Sequence, residues 1–372
     1  MRGTRTTITT ALLGLALTAT VANSAAASND QSDGHPGGPP STTNQTATLP
    51  VAFTVANTNT SALECGTDGR QYTVRGTLTA PAGGIDARTD QKAVSLYLHG
   101  LDLGQSFWTG AYQGDSFAAR QAAAGHVSVT IDRLGYDTSD KPDGQASCMG
   151  GQADIAHQIV QQLREGSYTI SNGAADAPGY SQVVLQGHSL GAGIAALEAA
   201  SYGDVDGVVL HSYSDRILSE GAKADAAAAV ADCQGGGEST EGEGSGGYAF
   251  FSSSPQDFRQ AFFASTPAPL VQGALAQRNR NACGDLATVT AIGDANVATN
   301  DRVQVPVLVV AGQSDAIYPE PAGEDLAGQF TGSSDVQLVT LPGTAHSLAT
   351  EASAPQWSQA VASWLDEQGF TS

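Results

Sequence analysis

Apolar residues alternate with small or polar ones at Val51, Phe53 and Val55, and again at Tyr72, Val74, Gly76 and Leu78. A period of two predicts a pair of half-buried strands, paired antiparallel. Six later runs lose the alternation and are nearly continuous in Val, Ile and Leu: 93–98, 127–131, 183–185, 208–210, 305–310 and 336–341. Strands of that kind need cover on both faces, as in a parallel sheet. Between several of them the period changes to that of a helix. Ala153, Ala156, Val160 and Leu163 share one face, and Trp357, Val361, Trp364 and Leu365 share another near the end of the chain. Strand and helix in alternation predict an α/β fold with a mostly parallel sheet and helices on both faces.

The alternation stops between Arg216 and Arg302. That interval holds an alanine run (226–230), a Gly/Glu-rich stretch (235–247) and five of the ten phenylalanines: Phe250, Phe251, Phe258, Phe262 and Phe263. It is far longer than a sheet connection requires, and long insertions of this sort are often lids or binding loops. Residues 217–302 are therefore expected to form a cap inserted between two halves of one core, 47–216 and 303–372. Phe258 and Phe262 in the cap, together with Trp108 in the core, are expected to line a substrate pocket.

Composition changes the picture at the N-terminus. Arg2 and Arg5 precede an apolar stretch (11–21), and Ala25, Ala26 and Ala27 follow it. This is the order of charge, apolar run and small residues in a secretory signal, expected to be cleaved near Ala27. The run is too short to span a bilayer, which needs about 20 apolar residues, and no other segment is long enough, so no stable membrane anchor is expected. Residues 28–46, with His35-Pro36-Gly37-Gly38-Pro39-Pro40, are expected to be a disordered leader. An extracellular setting makes disulfides of the four cysteines. Four cysteines allow three pairings. Cys65–Cys148 would fasten the N-terminal strands to the loop after the 127–131 strand, and Cys233–Cys283 would staple the cap to itself. No metal site is expected, since there is no C-x-x-C and no nearby histidine pair. The formal net charge of −21 excludes nucleic acid and anionic membranes as natural partners.

Candidate chemistry centres on Gly187-His188-Ser189-Leu190-Gly191, a G-x-S-x-G sequence between the 183–185 strand and an alanine-rich helical stretch (192–200). Such a turn places a serine hydroxyl beyond the sheet edge, at the positive end of the following helix. His188 is expected to point elsewhere, beneath the turn or into the pocket wall. A serine nucleophile needs a base, and the base needs an orienting carboxylate. His346, after the last predicted strand in Pro342-Gly343-Thr344-Ala345-His346, is the expected base. Asp315, just past the 305–310 strand, is the favoured acid, and Asp215, after the 208–210 strand, is its rival. The 93–98 strand ends in His99-Gly100, so the backbone N–H groups of Leu101 and Leu190 are the expected oxyanion donors. Asp132 is expected to brace its own loop.

These residues together resemble the α/β-hydrolase superfamily, over most of the chain from about Leu49 onward except the cap. The resemblance implies an eight-stranded, mostly parallel sheet. It also implies a cofactor-free triad of Ser189, His346 and Asp315, with Leu101 and Leu190 as the oxyanion donors. The expected function is hydrolysis of carboxylic esters, secreted, by way of an acyl-enzyme, on a small-molecule substrate. A peptidase or amidase using the same triad and a non-catalytic binding protein stand as the alternatives. The sequence leaves the oligomeric state and the natural substrate open.

Overall fold

In the computed structural model the described residues are 46–83, 91–110, 116–170, 177–238 and 246–371. The expected signal lies outside them, as does the expected leader except for Thr46, which already opens the first strand.

The two alternating segments become β1 (Thr46–Ala56) and β2 (Gln71–Pro81), paired antiparallel with Phe53 opposite Val74. Val51, Phe53 and Val55 turn inward while their neighbours stay more exposed, as a period of two requires. β3 (Gln91–Leu98), β4 (Ser128–Asp132), a two-residue β5 (Thr169–Ile170), β6 (Tyr180–His188) and β7 (Gly207–His211) follow. After a small separate hairpin of β8 (Tyr248–Ala249) and β9 (Asn281–Ala282), β10 (Val307–Gly312) and β11 (Val336–Leu341) complete the main sheet. Its order is β11-β10-β7-β6-β3-β4-β2-β1-β5. Pairing is parallel from β4 through β3, β6, β7 and β10 to β11. The eight expected strands are all present. The ninth, β5, adds two residues to the free edge of β1 and is too short to leave a pattern in the sequence.

Helices fill the connections. α1 (Ser106–Thr109) and α2 (Phe117–Ala123) follow β3, α3 (Met149–Glu165) follows β4 and α4 (Leu190–Tyr202) follows β6. The apolar face of α3 is buried, and the helix ends at Gly166 in the left-handed region (φ 66°), where glycine costs least. α4 packs on α3 as well as on β6 and β7, so Ala and Gly dominate it where larger side chains would not fit. The long insertion carries α5 (Glu220–Gln234), α6 (Pro255–Phe262), α7 (Ala268–Ala276), α8 (Cys283–Ala287) and α9 (Ala291–Val297). α10 (Ala322–Ala327) and α11 (Ala354–Glu367) belong to the core again, and α11 packs its two tryptophans inward.

Both disulfides pair as expected. Cys65–Cys148 ties the segment after β1 to the start of α3, and Cys233–Cys283 joins α5 to α8 inside the insertion. Buried polar groups key the insertion to the core. Asp285 of α8 accepts hydrogen bonds from Ser147 Oγ (2.6 Å), Gln152 Nε2 (3.2 Å) and Arg133 Nη1 (3.3 Å). Arg133 in turn donates through Nε to the carbonyl of His99, at the end of β3. No described helix is long and apolar enough to cross a membrane.

Candidate active site

β6 runs straight into Ser189, which holds φ 55° and ψ −131°, a conformation that a residue bearing a side chain rarely adopts. The surroundings impose it. A Cβ on Gly187 would lie 2.1 Å from the carbonyl oxygen of Gly191, and one on Gly191 would lie 2.3 Å from that of Leu98. Both contacts are with backbone that cannot step aside, so both flanking glycines are required. Gly187→Ala is expected to cost several kcal/mol, by the strain of overpacking a rigid site (about 1–3 kcal/mol in ordinary cores) added to a distorted turn. A urea unfolding curve indistinguishable from that of the parent would refute this.

The loop after β3 passes directly over this turn. A Cβ on Gly100 would fall 2.6 Å from Ser189 Cβ and 3.1 Å from its Oγ. Leu101 therefore begins a backbone segment adjoining the serine, and Leu190 begins α4 on its other side. His99 supports the loop: its Nε2 accepts from the backbone N–H of Arg133 (3.0 Å), which leaves Nδ1–H to donate to the Gly100 carbonyl (2.8 Å).

His346 follows β11 and is fully buried. Its Nδ1 meets Asp315 Oδ2 at 2.8 Å, while its Nε2 has no hydrogen-bond partner among the described residues. Asp315 follows β10. Its other oxygen accepts from the backbone N–H groups of Ile317 (2.8 Å) and Tyr318 (3.0 Å), which fixes the carboxylate. Tyr318, brought round by that turn, sets its ring 5.7 Å from the His346 ring. Sequence reasoning missed Tyr318; its position three residues after Asp315, in the turn past β10, was the available signal.

The rival acid is otherwise occupied. Asp215 Oδ1 accepts from Asn296 Nδ2 and Oδ2 from Asn300 Nδ2, both at 2.9 Å. Burial pushes its carboxyl up to about 6 in spite of those bonds. The other nearby histidines are poor proton acceptors. Burial holds His188 and His99 well below the usual imidazole range and brings His211 down to about 3. His188 lies under the turn, with Nε2 on the His346 carbonyl (2.8 Å) and its ring stacked on Phe107. Asp132 braces its loop by accepting from Gln105 and Thr138.

None of the three side chains expected to line a substrate pocket borders the cavity beside the turn. Trp108 is a correction: it is fully buried among Tyr97, Phe117, His211 and Trp357, so a side chain assigned to a pocket wall is core instead. Phe262 packs edge-on against the His346 ring at 4.9 Å, bringing the insertion onto the site. Phe258 sits one layer behind, against Phe262 at 4.2 Å and beneath the Arg278 guanidinium. A cavity of about 320 Å³ opens beside the turn, lined by Leu190, Tyr213, Asp215, Phe251, Val289 and Tyr318.

The profile of the alpha/beta hydrolase family matches residues 96–362, a span from β3 into α11. No curated protein matches the sequence significantly. Among solved structures, a thermophilic esterase from Thermogutta terrifontis is similar at 19% identity and a TM-score of 0.58, with 85% of this chain and 99% of that one covered. A hydrolase from Pseudomonas aeruginosa PA01 is similar at 18% identity and 0.57, covering 84% and 98%. An esterase from Exiguobacterium antarcticum is similar at 17% identity and 0.56, covering 81% and 100%. At such identities the likeness is one of fold, and the family follows from the profile and the sheet order together: this chain belongs to the alpha/beta hydrolase family.

Proposed function

We propose that the protein is a secreted serine hydrolase that cleaves carboxylic esters of small molecules through Ser189, His346 and Asp315. The observation that carries this reading is the 2.8 Å His346–Asp315 pair together with a serine held at positive φ on a strand-to-helix turn whose preceding residue, His188, sets its ring 4.7 Å from that of His346. Asp315 fixes the imidazole with Nδ1 protonated, so the unpartnered Nε2 is the nitrogen that takes a proton. Ser189 Oγ attacks the ester carbonyl and passes its proton to His346 Nε2. The carbonyl oxygen becomes an oxyanion, held by the N–H groups of Leu101 and Leu190. The C–O bond to the alcohol breaks, and the alcohol leaves with the proton from Nε2. Water then attacks the acyl-enzyme with His346 again as base, which releases the acid and restores Ser189. The two disulfides support an oxidising, extracellular setting.

Esterases among the structurally similar proteins support an ester as the substrate. The cavity beside Leu190 and Tyr318 is at the small end of the range for ligand sites, which supports a short acyl group. A panel of p-nitrophenyl esters, with the matching anilides alongside, tests both points. Acetate and butyrate esters are expected to turn over faster than palmitate, and all of them faster than the anilides. Preference for long chains, or anilide hydrolysis equal to ester hydrolysis, would reverse the assignment of substrate.

A further inference from the structure

On the side of α4 away from the serine, three chemically distinctive side chains converge. They are His157 on α3, Glu198 near the end of α4, and Asp204 just past the Gly203 cap. One ligand atom from each lies within 4.8 Å of the other two. Glu198 is fully buried, and neither of its carboxylate oxygens meets a donor among the described residues. Oδ1 of Asp204 is buried and lacks a donor as well. The other Asp204 oxygen, by contrast, is well supplied: it meets His157 Nδ1 at 2.8 Å and accepts from Gln161 Nε2. Arg164, the nearest cation, spends its donors on the Asp204 backbone carbonyl, on Asp206 and on Ser181, and not on these carboxylates.

Three buried acceptor oxygens in one such cluster, none with a donor, are costly, since a carboxylate taken out of water must be paired or neutralised. A divalent cation between them removes that cost. Separations up to 4.8 Å fit ligands that each sit 2.0–2.4 Å from a shared ion. One imidazole nitrogen with two carboxylate oxygens is a donor set that suits zinc, whereas calcium takes oxygen ligands alone. Two of the three side chains keep a solvent path, His157 being 28% and Asp204 18% exposed, so an ion can enter without unfolding the helices. The sequence concealed the site because its ligands are 41 and 6 residues apart and form neither a histidine pair nor a cysteine motif.

We propose that His157, Glu198 and Asp204 form a binding site for a zinc-like divalent cation that clamps α3 to the C-terminal end of α4. Glu198 lies eight residues along α4 from Leu190, about 12 Å at 1.5 Å per residue. The ion is therefore structural, away from the proposed chemistry at Ser189. The competing arrangement is a single proton shared between Glu198 and Asp204, with no ion at all.

The test uses the full chain, stripped with EDTA and then dialysed against zinc chloride, with calcium chloride in a parallel arm. Bound metal is measured by mass spectrometry and binding heat by titration calorimetry. One zinc per chain is expected, with a rise in melting temperature that EDTA reverses and with calcium giving neither. His157→Ala, a change at a partly exposed helix position, is expected to keep the parent far-ultraviolet circular dichroism and to lose the zinc. Glu198→Gln is expected to lose it too. Zinc uptake equal in the parent and in His157→Ala would overturn the proposal, as would calcium bound in preference to zinc. An unchanged melting temperature with zinc, combined with a higher one in metal-free Glu198→Gln, would establish the shared proton instead.

Discussion

Ser189→Ala is expected to lower kcat on a short-chain p-nitrophenyl ester by on the order of 10⁶-fold, and to abolish labelling by a fluorophosphonate probe. The substitution removes one oxygen and leaves untouched the turn that aims it, because both flanking glycines and the hydrogen bond from Ser189 N to the His211 carbonyl (2.9 Å) involve backbone alone. KM should therefore change little, while a small rate above the uncatalysed reaction survives from the Leu101 and Leu190 donors. Residues that act as a unit are not additive. His346→Ala alone should match the serine variant, and the double variant should be no slower than either. Asp315→Ala should cost less, about 10⁴-fold, since it removes the orientation of the imidazole and not the imidazole itself. A Ser189→Ala enzyme with the parent's rate would remove the proposed mechanism entirely. A double variant much slower than either single one would show that the serine and the histidine do not act in one step.

What the sequence could disclose follows from the range of each signal. Strand runs and the Gly-x-Ser-x-Gly turn are local, so β6, the turn and α4 could be read directly, and the ends of β10 and β11 pointed to Asp315 and His346. The antiparallel start was legible because Val51, Phe53 and Val55 alternate. Side-chain partners across the fold were not legible. The sequence ranked Asp315 above Asp215 without excluding the latter, since both follow buried strands. The difference lies in Asn296 and Asn300, about 80 residues further on, which claim Asp215. Trp108 lies close to the His99-Gly100 loop in sequence, yet its helical turn rotates the indole into the aromatic core. Tyr318 comes to lie by the His346 ring through a turn that the Asp315 carboxylate holds, accepting from the backbone N–H groups of Ile317 and Tyr318.

Asp102→Ala is expected to be the most destabilising single change in the loop after β3, by about 3–5 kcal/mol, because it strands a buried charge. Asp102 is fully buried next to the expected oxyanion donor Leu101, and its φ of 60° is a conformation that Asp and Asn tolerate better than Ala does. Its carboxylate accepts four hydrogen bonds from the insertion: the backbone N–H groups of Phe251 (2.8 Å) and Ser252 (3.0 Å), Asn281 Nδ2 (2.8 Å) and Arg278 Nη2 (3.0 Å). Its own N–H donates to Asn281 Oδ1 at 2.9 Å, which closes the exchange. One carboxylate thus joins the loop after β3 to three separate points of the insertion. Truncation leaves two backbone donors without their acceptor, and leaves the Arg278 guanidinium, 6% exposed, without its counter-charge, with only the Ser252 carbonyl (2.7 Å) still accepting from Nη2. Melting temperature should fall by about 5 °C. Because the loop carries Leu101, kcat on esters should fall as well, at temperatures where the variant is still folded. Asp102→Asn keeps the φ preference and one acceptor oxygen, so it should lie between Ala and the parent. Combining Asp102→Ala with Arg278→Met should recover part of the lost stability, since the stranded charge is gone and the coupling between contacting groups appears as non-additivity. A double variant as unstable as the sum of the two single ones would mean that this ion pair does not hold the insertion to the loop after β3.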